Sequence, residues 1–349
     1  MASQLKENSN KYCYLVYFIS RSFFLGTGTS LTIIYGGNDF LISVLIGAFV
    51  GLFISNILNK IYNSKYDDIT DILNSMNFIG KIFAIIISLF SFLIIINILL
   101  NLCHLIAMMF LTKTSAWLIL FPLIILPMYA ISKGDKTIIK SSKLLFIISI
   151  ILFSIAFFSL IFQIKIEYMF PIFRNNINNT LLGGVQFGVL SSIPNFFILS
   201  INKKENKCNL TKSYLFSLIF VIAPIFLTFF ILGPNLTKLY TFPEYIVLRN
   251  ISILNFVEKI ENFISYIWIL DVFFLSSLAL NTINKCIRVI TAYSKYISYI
   301  IMIVIYFVIS FYLINNYIFP LILFRIIGII MLLFFIIIII PIYIFTKKH

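Results

Sequence analysis

The sequence predicts an all-α integral membrane protein of ten transmembrane helices. Composition is the first observation. Hydrophobic residues make up 61% of the 349 residues and charged residues only 11%, whereas a soluble domain carries about 25% charged residues. The second is spacing. Apolar runs recur from end to end, and about 20 such residues cross a hydrocarbon core of about 30 Å as a helix. The runs are continuous rather than alternating, which excludes a β-barrel. The third is charge, because lysine and arginine concentrate in every second loop.

The expected spans cover 13–34, 39–58, 80–103, 115–131, 143–163, 180–201, 213–233, 260–282, 292–314 and 318–345. The first is too long and too poorly flanked for a cleavable signal peptide. The last is long enough to tilt or to run into the interface. The amino terminus, the even-numbered loops and the carboxyl terminus together hold 18 of the 26 lysines and arginines, against 6 on the other side. Basic loops stay in the cytoplasm, so both termini are expected there. The net charge of +14 is therefore topological. Spread over several short loops, it argues against a nucleic-acid partner and leaves the lipid bilayer as the expected surroundings.

Enzyme chemistry finds little to stand on. Cys13, Cys103, Cys208 and Cys286 are scattered without metal-ligand spacing and read as free thiols. His104 and His349 cannot form a cluster, and no nucleophile–His–acid set, HExxH or phosphate loop occurs. No catalytic residue, cofactor or metal is expected.

Glycine is more informative. Of 13 glycines, Gly26 and Gly28 fall in span 1, and Gly183, Gly184 and Gly188 fall in span 6. Ten spans divide into two halves of five, 1–163 and 164–349, within one membrane domain. An odd number of spans per half makes the second half enter from the opposite side, which is an inverted repeat. Interruptions at corresponding positions of two such halves point to a small-molecule site. The polar neighbours agree: Thr27, Thr29 and Ser30 in span 1, and Gln186, Ser191, Ser192 and Pro194, with Phe187, in span 6. Backbone groups freed at mid-membrane must face protein, water or ligand. Helices 1 and 6 are thus expected to unwind, with Gly26, Thr27, Gly28, Thr29, Gly183, Gly184, Gln186, Phe187 and Gly188 around the ligand. The alternative is that the glycines only let helices pack closely.

Span 3 places Asn97 and Asn101 on one face, to touch ligand or to cross-link helices. His104, near the outer end of that span, reads as a capping or interfacial residue. In span 8 Asp271 is deep enough in the membrane to be a functional candidate by default. Arg21 in span 1 lies within about 5 Å of the same depth at about 1.5 Å per residue. The two can pair in one state and separate in another. Alternatively Asp271 titrates alone, or Arg21 snorkels to the interface while Asp271 bonds a hydroxyl.

The segment from Phe242 to Phe274 carries a resemblance. Pro243, Arg249, Phe256, Glu258, Lys259, Ile260, Glu261, Ile267 and Trp268 resemble the signature of the spore germination permeases, the B subunits of nutrient germinant receptors. Gly26-Thr27-Gly28 matches the family's early pattern. Two features depart: no proline follows the span 1 break, and Gln186 stands where an acid is common in span 6. The resemblance implies the amino acid–polyamine–organocation superfamily and a LeuT-like fold. It also implies a nutrient, an amino acid or other small molecule, bound between spans 1, 3, 6 and 8. It places the chain in the spore inner membrane beside A-type and C-type subunits. Ser276 and Ser277 fall near the position of a coupling cation in some relatives. An ion-coupled transporter of amino acids or related amines is the alternative. Pro243–Glu261 is expected to form a short amphipathic helix that gates the outer side, with Arg249 pairing Glu258 or Glu261.

Overall fold

The computed structural model describes residues 13–24, 26–171, 175–204, 208–249, 260–291, 296–315 and 319–348. Among them every regular element is helical. Among the described residues, seven helical stretches are long and apolar enough to cross a membrane: Gly28–Tyr62, Asn77–Met109, Asp135–Gln163, Ile177–Ser200, Leu210–Leu239, Ser265–Ile290 and Ile326–Lys348. Ala116–Ser132 is a shorter apolar helix. The chain is a multi-pass membrane protein. Large side chains such as Phe49, Phe158 and Phe307 are exposed on its outside, as a surface facing lipid requires.

The first expected span is two helices, α1 (Tyr14–Arg21) and α2 (Thr27–Gly36). Gly37, at φ +54°, turns the chain into α3 (Phe40–Tyr62). Only glycine takes that backbone region readily. A short helix α4 (Ile69–Ser75) is capped by the Asp68 side chain, which accepts from the Thr70 and Asp71 N–H groups; this satisfies donors that have no partner within the helix. Then come α5 (Asn77–Met109), α6 (Ala116–Ser132) and α7 (Asp135–Leu160). The second half contains α8 (Ile177–Ser192), a 3₁₀ segment (Ile193–Ser200) and α9 (Leu210–Leu239), which kinks at Gly233. It continues with α10 (Pro243–Arg249), α11 (Ile260–Ile290), α12 (Tyr296–Asn315), α13 (Phe319–Phe334) and α14 (Ile340–Lys348). A single π turn, Phe335–Ile339, links the last two.

Two packings position the site. Helix α8 lies along α3, and α11 lies along α5. At the far end of α11, Lys285 meets Asp68 at 2.6 Å and Asp135 at 3.8 Å. Asn281 donates to Asp135 and to the Ser200 carbonyl, both at 3.1 Å. This polar knot ties α4, α7, the 3₁₀ segment and α11 together at one end of the bundle.

The expected interruption of span 6 at its glycines does not occur. Gly183, Gly184 and Gly188 sit inside continuous helix. A Cβ on Gly184 would stand 2.8 Å from the Ser43 carbonyl oxygen, and one on Gly188 would stand 2.5 Å from that of Gly47. From the other side, a Cβ on Gly47 would lie 2.4 Å from the Gly184 carbonyl oxygen. These glycines are a packing seam between α8 and α3, the close-approach alternative. The helix changes character only at Pro194, where α8 gives way to the 3₁₀ segment, because proline has no N–H to continue the ladder.

Candidate functional site

The break in the first span is real and local. Helix α1 stops at Arg21, and α2 resumes at Thr27 behind Gly26 at φ +66°. Nearby hydroxyls cover the loosened backbone. Thr29 donates to the Phe24 carbonyl at 3.0 Å, Ser30 to that of Gly26 at 3.1 Å, and Thr32 to that of Gly28 at 2.9 Å. The Phe24 carbonyl, which lies outside both helices, is thereby satisfied, while the Gly26 carbonyl also takes the helical bond of the Ser30 N–H, as a buried backbone demands.

The Gly26 N–H is satisfied from elsewhere. It donates to Glu244 Oε1 at 3.1 Å. Glu244 belongs to α10, and its neighbour Phe242 covers Gly26 so closely that a Cβ there would lie 2.3 Å from the ring. The α10 segment is thus seated directly on the break. Glu244 is 4% exposed, and its second oxygen, Oε2, has no hydrogen-bond partner. The Thr29 hydroxyl stands near the carboxylate and is 3.0 Å from the Phe24 carbonyl, to which it donates. Burial pushes the Glu244 carboxyl up to about 8, against the opposing effects of Thr29 and the Gly26 N–H.

Arg21, the last residue of α1, meets Asp271 of α11 at 3.1 Å, and both side chains are buried. Arg21 also donates to the Tyr17 hydroxyl, and its guanidinium lies 4.6 Å from the centre of the Tyr17 ring. A buried charge needs both a counter-ion and hydrogen bonds, and Arg21 has them. Asp271 Oδ1 has no partner. Arg21 and Glu244 line one cavity of about 60 Å³, together with residues of α7, α9 and α11. Its walls are otherwise apolar apart from Thr228.

The remaining candidates divide. Phe187 packs its ring 5.1 Å from Phe24 at the break. Gln186 turns towards Gly328 of α13. Asn97 and Asn101 are buried on α5, and Asn97 Oδ1 has no partner. His104 is also buried, with its ring 5.9 Å from Phe242, rather than at an exposed interface. Ser276 and Ser277 both donate to the Phe273 carbonyl of their own helix. Arg249 is exposed at the end of α10. Glu258, and the side chains of Thr27 and Glu261, lie outside the described residues.

Sequence reasoning missed three residues. Glu244 carried a usable signal, since it is a lone acid among Phe242, Pro243, Tyr245, Ile246, Val247 and Leu248. The same isolation had singled out Asp271. Asn195 follows Pro194 and donates to Ser20 Oγ at 3.0 Å, joining the 3₁₀ segment to α1. Tyr17 sits one turn before Arg21 and binds it. Neither has a sequence signal that separates it from the many other asparagines and tyrosines.

The layout now on the page is a bundle of apolar helices with a broken first helix and buried charges beside the break. The pattern of the spore germination protein family matches residues 15–318. The chain belongs to that family. It is also similar to "Putative spore germination protein YfkT" of Bacillus subtilis (strain 168), 24% identical over 190 residues. That match covers 54% of this chain and 53% of the relative, so the chain spans about half the length of the curated relative it matches.

Proposed function

We propose that this spore germination family member is the B-type subunit of a nutrient germinant receptor in the spore inner membrane. In this reading it has ten spans in a LeuT-like arrangement of two inverted halves, 1–163 and 164–349, with both termini cytoplasmic. It binds a small nutrient, an amino acid, at the break in helix 1, between spans 1, 3, 6 and 8. Binding is passed to A-type and C-type subunits. The observation that carries the reading is the break itself. Its backbone groups are held by hydroxyls and by Glu244 rather than by a regular helix, and groups held in this way beside buried charges can be handed over to a small polar ligand.

Gly28→Leu is the test. A Cβ at Gly28 would lie 1.9 Å from the Phe23 carbonyl oxygen, inside the break. The variant is expected to reach the membrane and to lose the nutrient response of spores that carry all three subunits. A normal response would remove the break from ligand recognition.

A second reading, ion-coupled transport of amino acids or amines, draws on Asp271 Oδ1, a buried carboxylate oxygen without a partner. In that reading Arg21 and Asp271 pair in one state and part in the other. Accumulation of a labelled amino acid in liposomes down an imposed ion gradient, with no other subunit present, would establish transport and sink the receptor-only role.

A further inference from the structure

The geometry points to a site for a small alkylammonium group in the cavity between α1, α7, α9, α10 and α11, with Glu244 Oε2 as its anionic partner. This goes beyond the receptor reading, because the cavity borders α7 and α9, the fifth and seventh expected spans, rather than the third and sixth.

Four observations converge on it. Glu244 lines the cavity, is 4% exposed, and leaves Oε2 unpartnered while Oε1 is held by the Gly26 N–H. A buried carboxylate oxygen with no donor leaves an uncompensated desolvation cost. The other cavity-lining charge is not free to balance it. Arg21 already faces Asp271 at 3.1 Å and donates to Tyr17. The Thr228 hydroxyl donates to the Pro224 carbonyl of its own helix. With no ligand the carboxyl answers that cost by holding a proton; a positive group that brings its own N–H donors would displace the proton and leave Glu244 as its anionic partner.

The walls select its kind. Phe153, Phe157 and Trp268 line the cavity, and aromatic faces attract a desolvated ammonium. A bare metal ion prefers a shell of about six or more oxygens, which these walls do not provide. The volume, about 60 Å³, has room for about four water-sized groups, enough for an ammonium with a few further heavy atoms.

The ammonium could arrive on a simple amine or on an amino acid, and the probes separate the two. Binding of methylammonium, glycine and N-acetylglycine is measured on the full chain in lipid nanodiscs by calorimetry. Wild type is expected to bind methylammonium saturably and to ignore N-acetylglycine, which has no ammonium. Glycine binding as tightly as methylammonium would assign the group to an amino acid; no glycine binding would assign it to an amine. Glu244→Gln keeps the acceptor for Gly26 and removes the charge, so it should weaken binding at least tenfold. Ala156→Leu fills the cavity without touching Glu244 and should abolish it. Unchanged affinity in Glu244→Gln, equal binding of N-acetylglycine, displacement by equimolar sodium or potassium, or no saturable binding by wild type would each overturn the site. Nutrient response is read separately in spores. Response without ammonium binding overturns this site alone, and binding without response overturns the receptor reading alone.

Discussion

The two glycine-rich segments look alike in sequence and do opposite things. Gly26 and Gly28 sit at a break, where Gly26 takes φ +66° and the N–H of the restarting helix is held by a side chain from α10. Gly183, Gly184 and Gly188 run through an unbroken helix and press against the backbone of α3. In the first segment glycine supplies a backbone angle that side chains resist. In the second it supplies the absence of a side chain. Conformational freedom and close approach are separate properties, and only a partner element decides which one is used.

The largest expected effect sharpens that contrast. Gly47→Leu or Gly188→Leu should prevent stable folding, because each would drive a side chain into backbone at about 2.5 Å, a clash that only the parting of α3 and α8 relieves. Loss of a monodisperse species in detergent is the measurement. Gly28→Leu meets the Phe23 carbonyl oxygen more closely still, at 1.9 Å, but that carbonyl belongs to the irregular stretch between α1 and α2, which can shift without parting two long helices, so this variant should keep the species and lose the response. If both segments fail equally on purification, the distinction between break and seam is wrong.

Next in size is the ion pair that borders the break. Asp271→Asn or Arg21→Gln leaves one buried partner uncompensated, which costs about 3–5 kcal/mol. The double variant should unfold no more readily than the worse single one. Strictly additive losses in thermal unfolding would show that Arg21 and Asp271 act independently.

A smaller effect concerns pH. The Glu244 carboxyl is raised by burial from 4.5 to about 8, so between those values the folded chain holds a proton that the unfolded chain has lost. Its contribution is complete below about pH 4.5 and fades as pH rises through 8, by about 1.4 kcal/mol per unit within that window. Thermal unfolding of wild type should therefore weaken from pH 6 to 8 more steeply than that of Glu244→Gln. Arg21 beside the same cavity, Asp271 and Tyr17 behind it, and His104 against Phe242 are common to both proteins, so the difference isolates Glu244. Equal slopes would place Glu244 in contact with water. The smallest change belongs to Thr29→Ala, which removes one hydroxyl bond at the break and should cost about 0.5–1.5 kcal/mol, visible as a slight drop in melting temperature.

Much of this protein was legible in the chain itself. Helical class and membrane setting follow from apolar runs too long for strands and too bare of charge for water. The Arg21–Asp271 contact was legible from depth, since each charge must find a partner inside the membrane and helical rise fixes how far in it lies. The family's signature residues named the class of protein. Which glycine segment unwinds was decided only in three dimensions: α3 offers α8 a backbone at van der Waals distance, and α10 offers the break a carboxylate. Glu244 entered the site for the same reason. A lone acid in an apolar stretch announces a cost of burial, but the N–H that it answers lies more than two hundred residues away, and no local pattern records so distant a partner.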